Sequence, residues 1–274
     1  MANDREKANK LREEGNRQFT SGNFVAAEGL YSKAIIADST NHALFTNRAM
    51  ARFKLHLYEY AIADCNAAVE LVGPNMKAHY IQAQCLLGVR EFDDALKNAR
   101  LALDLGIAKN DKSLTQLTTL VRECRRKRWE WRERLRRREG DEFEKELLDL
   151  MKREQYEIED VCDDNEEKAA AAKEWQERAK LLATTFDKAR TAAETRREVP
   201  DWLLDDITFD VLIDPVMTKT GQSYERASIM EALRRQPVDP LTREPLHPDD
   251  LRPNIALRKA CEQFLDENGW AVDW

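Results

Sequence analysis

The strongest constraint on the fold is a repeat of 34 residues in the first part of the chain. Small residues let paired helices approach closely, and an aromatic residue fills the space between the two helices of each unit. Such a period predicts a solenoid of stacked helix pairs. Four columns recur at this spacing: Gly15, Ala49 and Ala83; Phe24, Tyr58 and Phe92; Ala27, Ala61 and Ala95; and Ala34, Ala68 and Ala102.

The period and its columns are typical of tetratricopeptide repeats, which this part of the chain resembles. We place three units at 8–41, 42–75 and 76–109, about the minimum for a stable stack. The first helix of each unit lines a concave groove, and repeat positions two, five, six and nine share one helical face. Two cations and two amides on one wall indicate a site for a carboxylate. At these positions stand Lys77, Arg12, Asn47 and Asn16.

These residues match the carboxylate clamp of chaperone-binding repeat domains. The resemblance implies that the groove binds the C-terminal Glu-Glu-Val-Asp tail of cytosolic heat-shock chaperones. Arg12 stands where lysine is usual, which keeps the charge and changes the geometry. Ile81 stands where some clamps carry a further arginine, and we expect Tyr80 and Ile81 to line a pocket for an apolar side chain of the peptide. Taken singly, each clamp residue also fits a solvated surface position.

Residues 110–140 are predicted to form a capping helix after the last repeat. The pattern stays helical and becomes strongly basic, with the run Arg125-Arg126-Lys127-Arg128 beside two tryptophans. Such a run also fits a nuclear-localisation signal or a nucleic-acid contact. We favour a helix that extends into solvent and whose charges face the acidic residues of 139–167.

Residues 141–198 are predicted to form a charged helical hairpin with its turn at 162–165. The second helix has a coiled-coil seam that needs a partner, either the first helix of the hairpin or a second copy of the chain. We expect both, and therefore a homodimer. The seam consists of Ala172, Trp175, Ala179, Leu182, Phe186, Ala189 and Ala193, opposite Phe143, Leu147, Leu150 and Met151.

A compact domain is predicted from 199 to 270, where the sequence changes character. Seven of the 8 prolines lie at or beyond position 200. Pro215 cannot sit in a central strand, which favours a loop that leads into a short hairpin around Gly221. A short helix at 227–235, a proline-fixed loop at 237–246 and a closing helix that begins at Asn254 follow.

This order of elements resembles that of a RING domain, but the zinc ions of a RING domain need clustered Cys and His ligands. The region holds one cysteine, Cys261, and one histidine, His247, so no metal or cofactor is expected. The segments "PDWLLDDITFDVLIDPVMTKTGQSYERASI", "DPLTREPL" and "RPNIALRKA" resemble a U-box, which is a RING-like domain held by polar side chains in place of zinc.

The resemblance implies a ubiquitin ligase that acts by docking. The surface for the ubiquitin-conjugating enzyme maps onto Ile207, Phe209 and Pro240. Arg243 matches the residue that holds thioester-linked ubiquitin in a reactive pose, which is catalysis by orientation. Ile207 and Phe209 are two residues apart and also fit a buried pair in a small core.

Two other functions remain open at this stage. The chain could be a co-chaperone scaffold whose U-box does not engage a conjugating enzyme, although Pro240 and Arg243 are both present. It could also form its own thioester on Cys261. That cysteine lies in an apolar helix with no nearby histidine in the sequence, which favours a buried structural thiol.

The residue composition of the chain agrees with a mainly α fold that includes one small α+β domain. The net charge of -7 implies neither nucleic acid nor membrane as a partner. Scattered cysteines indicate reduced thiols, and the N-terminus lacks a signal-peptide core, so we expect a cytoplasmic protein with the nucleus as a second compartment. Repeats, hairpin and U-box occur together in CHIP-type ligases, whose partners are conjugating enzymes, ubiquitin and misfolded clients of chaperones.

Overall fold

The computed structural model describes residues 2–161, 165–194 and 198–273. It is mostly helical with a small sheet near the C-terminus, so the predicted fold class is confirmed. The chain forms two compact units, one made of Met1–Arg128 and Pro200–Trp274, the other of Trp129–Val199. None of the helices in the described ranges has the length and apolar character that crossing a membrane requires.

Three helix pairs form the repeats. The helices that begin the second and third pairs are each capped by an asparagine, since Asn41 accepts from Ala43 N and Asn75 from Ala78 N. The alanines of the three predicted columns are 0% exposed, which lets the helices pack at close range. The helices are α1 (Ala2–Thr20), α2 (Phe24–Ala37), α3 (His42–Lys54), α4 (Tyr58–Val72), α5 (Met76–Gly88) and α6 (Phe92–Ala108).

Helix α7 (Leu114–Val161) is 48 residues long and begins on the last repeat. Its first turns bury an apolar face against α6, where an added Cβ at Gly106 would come within 2.5 Å of Leu117 Cδ1. The helix runs through Gly140 without a break, so the capping helix and the first helix of the predicted hairpin are one element. The buried residues of this face are Leu114, Leu117, Leu120, Val121 and Cys124.

Helix α8 (Asn165–Glu194) belongs to the second unit and pairs with the later part of α7. Phe186 packs edge-on against Phe143, with ring centroids 6.1 Å apart, and Trp175 is 8% exposed. Leu150 and Leu181 remain exposed. Most of the predicted turn at 162–165 lies outside the described residues.

The C-terminal domain (198–273) contains an antiparallel sheet in which β1 (Pro215–Met217) lies between β2 (Ser223–Glu225) and β3 (Arg252–Pro253). Pro215 pairs with Glu225 and opens the central strand, so the expectation that it lies outside a central strand was wrong. A first strand position tolerates proline, and here its carbonyl accepts from Asn254 N at 2.9 Å. The elements are β1 (Pro215–Met217), β2 (Ser223–Glu225), α9 (Arg226–Arg235), β3 (Arg252–Pro253) and α10 (Ile255–Glu267).

Candidate functional site

Three predicted clamp residues come together in the groove of the repeats. Asn16 lies on α1, Asn47 on α3 and Lys77 on α5. Lys77 Nζ donates to Asn47 Oδ1 at 2.8 Å, and Asn47 Nδ2 donates to Asn16 Oδ1 at 3.3 Å. The three line a cavity of about 190 Å³. The common repeat register thus places side chains from three repeats in one hydrogen-bonded row.

A buried tyrosine supports this row, and the sequence pattern did not single it out. Tyr31 OH donates to Asn16 Oδ1 at 2.8 Å, and the side chain is 2% exposed. Burial raises the pKa of this hydroxyl, so it stays protonated and remains a donor. The ring lies against Gly15, where an added Cβ would come within 2.6 Å of Tyr31 Cε1. The glycine in the first repeat column therefore makes room for this ring.

The other predicted groove residues differ in their surroundings. Arg12 is half-buried one turn before Asn16, and half-buried Tyr80 accepts from Gln84 Nε2 at 3.4 Å. Ile81 is 0% exposed and packs in the core between α3, α4 and α5. The prediction that Ile81 lines a peptide pocket was wrong, because burial of its apolar side chain between helices is favourable and removes it from the groove.

The groove of the repeats combines one ammonium group with amide donors. The surrounding helices lower the pKa of Lys77, because desolvation disfavours its charged form. A carboxylate beside the ammonium group replaces the lost water by an opposite charge and forms a charge-assisted hydrogen bond. The amide nitrogens of the same row add neutral N–H donors.

An ion cluster joins the first two repeats. Asp64 on α4 is 3% exposed and accepts from Arg48 at 2.6 and 2.9 Å and from Arg52 at 2.9 Å. Arg52 also donates to Glu28 on α2 at 2.8 Å. Removing one member of a buried ion pair leaves an uncompensated charge, so this cluster fixes the position of α3, which carries Asn47. Arg48 and Arg52 lie one turn apart on α3, but their acidic partners lie on other helices, and sequence reasoning missed the cluster.

The C-terminal domain contains a turn that begins at buried Asp205. Asp205 N donates to Asp210 O at 2.9 Å, and Phe209 N donates to Asp205 O at 2.8 Å. The Asp205 carboxylate accepts from Thr208 N at 3.2 Å and from Ser228 Oγ at 2.7 Å. One aspartate therefore closes the turn and ties it to α9.

A second turn, which begins at Asp239, has the same construction. Asp239 N donates to Glu244 O at 2.8 Å, and Arg243 N donates to Asp239 O at 2.9 Å. The Asp239 carboxylate accepts from Leu241 N at 2.9 Å and from the hydroxyl of Tyr224 at 2.8 Å. The hydroxyl and backbone donors lower the pKa of Asp239 despite its desolvation, so hydrogen bonds hold this turn.

The predicted docking residues lie on these two turns. Phe209 is 68% exposed, whereas Ile207 is half-buried and packs against the core that contains Tyr224. Arg243 is exposed and Pro240 is half-buried. Ile207 and Phe209 therefore do not form one buried pair. Tyr224 contributes to the core under the first turn and bonds to the second, so one residue anchors both.

Glu225 is one of the buried acids of the domain and is 2% exposed. Its Oε2 accepts from Ile213 N at 2.7 Å and from Asp214 N at 3.0 Å, and burial raises its pKa to about 7. Asp214 in turn pairs with Arg226 at 2.6 Å. In the ranges that the structure describes, no group of three or more His, Cys, Asp or Glu side chains could hold a metal ion.

The start of the basic run joins the C-terminal domain to α7. Arg122 pairs with Asp210 at 3.0 Å, and Arg125 and Arg128 pair with Asp266 at 3.2 and 2.6 Å. Arg125 is 3% exposed, and burial lowers its pKa to about 10. The prediction that this run extends into solvent was wrong for these residues, because their partners lie far along the chain and leave no local pattern.

A cleft of about 310 Å³ lies between α7 and the first turn. Ile207, Glu225 and α9 form one wall, and Thr115, Thr118 and Arg122 form the other. One of the predicted docking residues therefore faces α7 within the same compact unit. We call this contact between α7, α10 and the first turn the α7 contact.

The comparisons with known proteins agree with this architecture. A family model described as U-box domain matches residues 199–270. The E3 ubiquitin-protein ligase CHIP of Arabidopsis thaliana is 33% identical over 267 residues, which is 96% of this chain and 95% of that protein. DnaJ homolog subfamily C member 7 of Mus musculus is 34% identical over 107 residues, which is 38% of this chain and 22% of that protein.

Among solved structures, the first TPR of Spaghetti (RPAP3) bound to the HSP90 peptide SRMEEVD is 32% identical to the part of the chain that it matches. It covers 42% of this chain and 93% of its own, with a TM-score of 0.37. The similarity to the Arabidopsis protein, in contrast, extends over the repeats, both long helices and the C-terminal domain.

Proposed function

Because the chain belongs to the CHIP family of E3 ubiquitin-protein ligases, we propose that its repeats bind the C-terminal tails of heat-shock chaperones and that its U-box directs ubiquitin to the bound clients. The observation that carries this proposal is the row of Asn16, Asn47 and Lys77 in the same chain as a U-box. The row recruits the substrate, and the U-box brings the conjugating enzyme to it.

Each clamp residue has a role in tail binding. Lys77 and Arg12 supply the positive charges for the terminal carboxylates, and the amides of Asn16 and Asn47 supply geometry. Tyr80, half-buried on the same helix as Lys77, contacts the apolar part of the peptide. Ile81 acts from the core and keeps α5 in place.

The two turns of the U-box form the surface for the conjugating enzyme. Exposed Phe209 and half-buried Pro240 supply apolar contacts, and Ile207 completes the surface at the edge of the cleft. The exposed guanidinium of Arg243 has five donors, enough to bridge the conjugating enzyme and ubiquitin. Holding the thioester in a reactive geometry is sufficient for a large acceleration without a nucleophile on the ligase.

We propose further that ubiquitin passes directly from the conjugating enzyme to the client. Cys261, the cysteine of the U-box, is 0% exposed, and burial raises the pKa of its thiol to about 12. Cys85 and Cys124 are likewise buried, with pKa values raised to about 12. A thiol that is buried and protonated at neutral pH is a poor nucleophile. Cys162 lies outside the described residues, and its serine variant belongs in the test.

The helical pair of α7 and α8 is proposed to join two copies of the chain. Its internal contact is made by Phe143 and Phe186, while Leu150 and Leu181 leave apolar surface open to solvent. A second helical pair is the partner that such a seam fits. Light scattering of the full chain should give twice the mass of 31.8 kDa, and Leu150→Glu should shift it to the monomer.

The test is reconstituted ubiquitin transfer with purified activating and conjugating enzymes in the presence of a metal chelator. The substrate is a chaperone with an intact Glu-Glu-Val-Asp tail, and the control substrate lacks those four residues. We expect chelator-resistant ubiquitination of the tailed chaperone. Lys77→Ala should abolish it and leave self-ubiquitination intact, whereas Pro240→Ala should abolish both and leave tail binding intact.

Lys97→Ala is the matched control, since Lys97 is an exposed lysine on α6 that pairs with Asp94 on the surface. It should behave as the wild type in every assay. Tail binding without transfer for any of a broad panel of conjugating enzymes would make the protein a scaffold. Transfer lost in Cys162→Ser or Cys261→Ser, with folding preserved, would contradict direct passage.

A further inference from the structure

We propose that Tyr31 is a positioning residue that makes the groove selective for a carboxylate over a carboxamide. This inference rests on the proposed function of the groove. An asparagine amide turned one way presents an N–H donor to a ligand and turned the other way presents an oxygen acceptor. The hydrogen-bond partners of Asn16 and Asn47 decide which group each amide presents.

The order of donors along the row begins at Lys77. An ammonium group has three donors and no acceptor, so its contact at 2.8 Å must be with the oxygen of Asn47. The nitrogen of Asn47 then faces Asn16 at 3.3 Å and requires an oxygen there. Each amide in the row is thereby oriented by its neighbour, and both amide oxygens accept hydrogen bonds within the row.

Tyr31 closes the row from the other side. Its hydroxyl lies 2.8 Å from Asn16 Oδ1, a shorter contact than the 3.3 Å from Asn47. The ring is 2% exposed and wedged against Gly15, so its hydroxyl is held in place by packing. Asn47 is half-buried and its contact is long, so Tyr31 supplies the firmer restraint on Asn16.

The result is a groove whose polar groups are donors. With both asparagine oxygens engaged, Asn16, Asn47 and Lys77 present only N–H groups to a ligand. A carboxylate accepts from all of them, whereas the NH₂ of a carboxamide meets a donor and leaves hydrogen bonds unmade. Without the Tyr31 hydroxyl, only the longer contact from Asn47 holds the Asn16 oxygen, so Asn16 turns this oxygen toward the ligand more readily and satisfies the carboxamide.

The experiment compares wild type, Tyr31→Phe and Tyr58→Phe by titration with two synthetic peptides that end in Glu-Glu-Val-Asp, one with a free terminal carboxylate and one with a terminal carboxamide. Tyr58→Phe is the matched control, because it also removes a hydroxyl from the repeats, but one that bonds to His56 outside the groove. Thermal melts establish that each variant is folded.

We expect wild type and Tyr58→Phe to prefer the carboxylate by the same factor. Tyr31→Phe should bind the carboxylate peptide about five- to tenfold more weakly, the loss of one hydrogen bond, and its preference over the carboxamide should fall by a similar factor. A purely structural role would weaken both peptides equally. An unchanged preference in Tyr31→Phe overturns the proposal.

A ligand-free measurement separates this inference from the proposed function. In nitrogen-15 spectra, the side-chain NH₂ signals of Asn16, assigned by their loss in Asn16→Asp, should shift or broaden in Tyr31→Phe and stay unchanged in Tyr58→Phe. If they do not move, the positioning role is absent whatever the groove binds. If they move but wild type binds neither peptide, the tail assignment fails and the positioning of Asn16 stands.

Asn16→Asp covers the case in which Tyr31→Phe does not fold. Aspartate keeps an oxygen for Tyr31 and Asn47 and replaces the donor that faces the ligand by a second oxygen. Binding of the carboxylate peptide should fall more than about a hundredfold, since an anion then faces an anion. Binding at the wild-type level would show that the nitrogen of Asn16 does not face the ligand.

Discussion

Phe209 and Arg243 occupy the same position in the two turns of the U-box, and both have a left-handed backbone, with φ angles of 61° and 62°. A side chain other than glycine costs about 1 kcal/mol or more in this conformation. In each turn the N–H of this residue donates to the carbonyl of the aspartate that begins the turn. Both side chains are exposed, which agrees with a shared role at the proposed enzyme surface.

The strain at Arg243 separates stability from activity. Arg243→Gly should be more stable than Arg243→Ala by about 1 kcal/mol, because glycine adopts the left-handed conformation without a clash. Both variants should lose ubiquitin transfer at least about tenfold, since neither holds the thioester-linked ubiquitin. Urea unfolding and single-turnover discharge of a loaded conjugating enzyme measure the two effects. A glycine variant less stable than the alanine variant would contradict the strain argument.

Asp64 should be essential to the stability of the first two repeats. Asp64→Asn removes the charge that compensates Arg48 and Arg52, and we expect a loss of about 3 kcal/mol in the free energy of unfolding. Asp94→Asn is the control, because Asp94 pairs with Lys97 on the surface, where such pairs contribute about 0–1 kcal/mol. Hydrogen exchange of α3 and α4 reports the change locally. Equal protection in the two variants would mean that the cluster is not stabilising.

Glu225 should make the U-box less stable as the pH rises. Burial raises its pKa from the usual 4.5 of a glutamate to about 7 in the folded state, so the folded form holds its proton more tightly than the unfolded form. The contribution is present below pH 4.5 and is lost as the pH rises to 7, by about 3 kcal/mol. Asp239 and Asp266 have lowered pKa values and act in the opposite direction at more acidic pH.

Glu225→Gln should therefore remove the fall in stability between pH 4.5 and 7.5 that wild type shows. Glu231→Gln, which alters surface ion pairs with Arg234 and Arg235, should retain it. Urea midpoints at several pH values check both. A parallel pH dependence in wild type and Glu225→Gln would assign the effect to other groups.

The α7 contact should limit access to the surface that binds the conjugating enzyme. Asp266→Arg deprives buried Arg125 and its neighbour Arg128 of their acceptor and places like charges together, so the U-box should detach from α7. Exposure of Ile207 should then increase, and discharge of a loaded conjugating enzyme should become faster. Glu267→Arg, the adjacent exposed position on α10, is the control. Slower discharge of the loaded conjugating enzyme by a folded Asp266→Arg variant would show that the α7 contact supports ubiquitin transfer.

Residues that repeat at a fixed period were predictable from the sequence, whereas isolated partners were not. The 34-residue period places Asn16, Asn47 and Lys77 on one face of the first helices of their repeats, so the sequence alone groups these three residues. Ile81 occupies the same repeat position as Asn47 yet is buried. Burial of an apolar side chain is favourable, whereas burial of an amide costs free energy unless the amide is hydrogen-bonded. The repeat register alone does not contain that difference.

Contacts between distant segments could not be predicted from the spacing of residues in the sequence. Arg125 and Asp266 are 141 positions apart, and a basic run looks the same whether it is solvated or docked. The prediction for Pro215 was wrong for a similar reason. Its place at the start of β1 depends on pairing with Glu225, which lies ten residues later. The backbone bonds that close the U-box turns, in contrast, are local, since they join residues from Asp205 to Asp210 and from Asp239 to Glu244.

Asp205 and Asp239 close their turns through hydrogen bonds, with no sulfur atom among the bonding groups. Peroxides attack thiolates, and scarcity of zinc empties metal sites, but carboxylates that accept hydrogen bonds are inert to both. The thiol of Cys261 is buried and protonated. Oxidative stress and zinc starvation should therefore leave this domain folded at the moment when damaged proteins accumulate and a quality-control ligase is most needed.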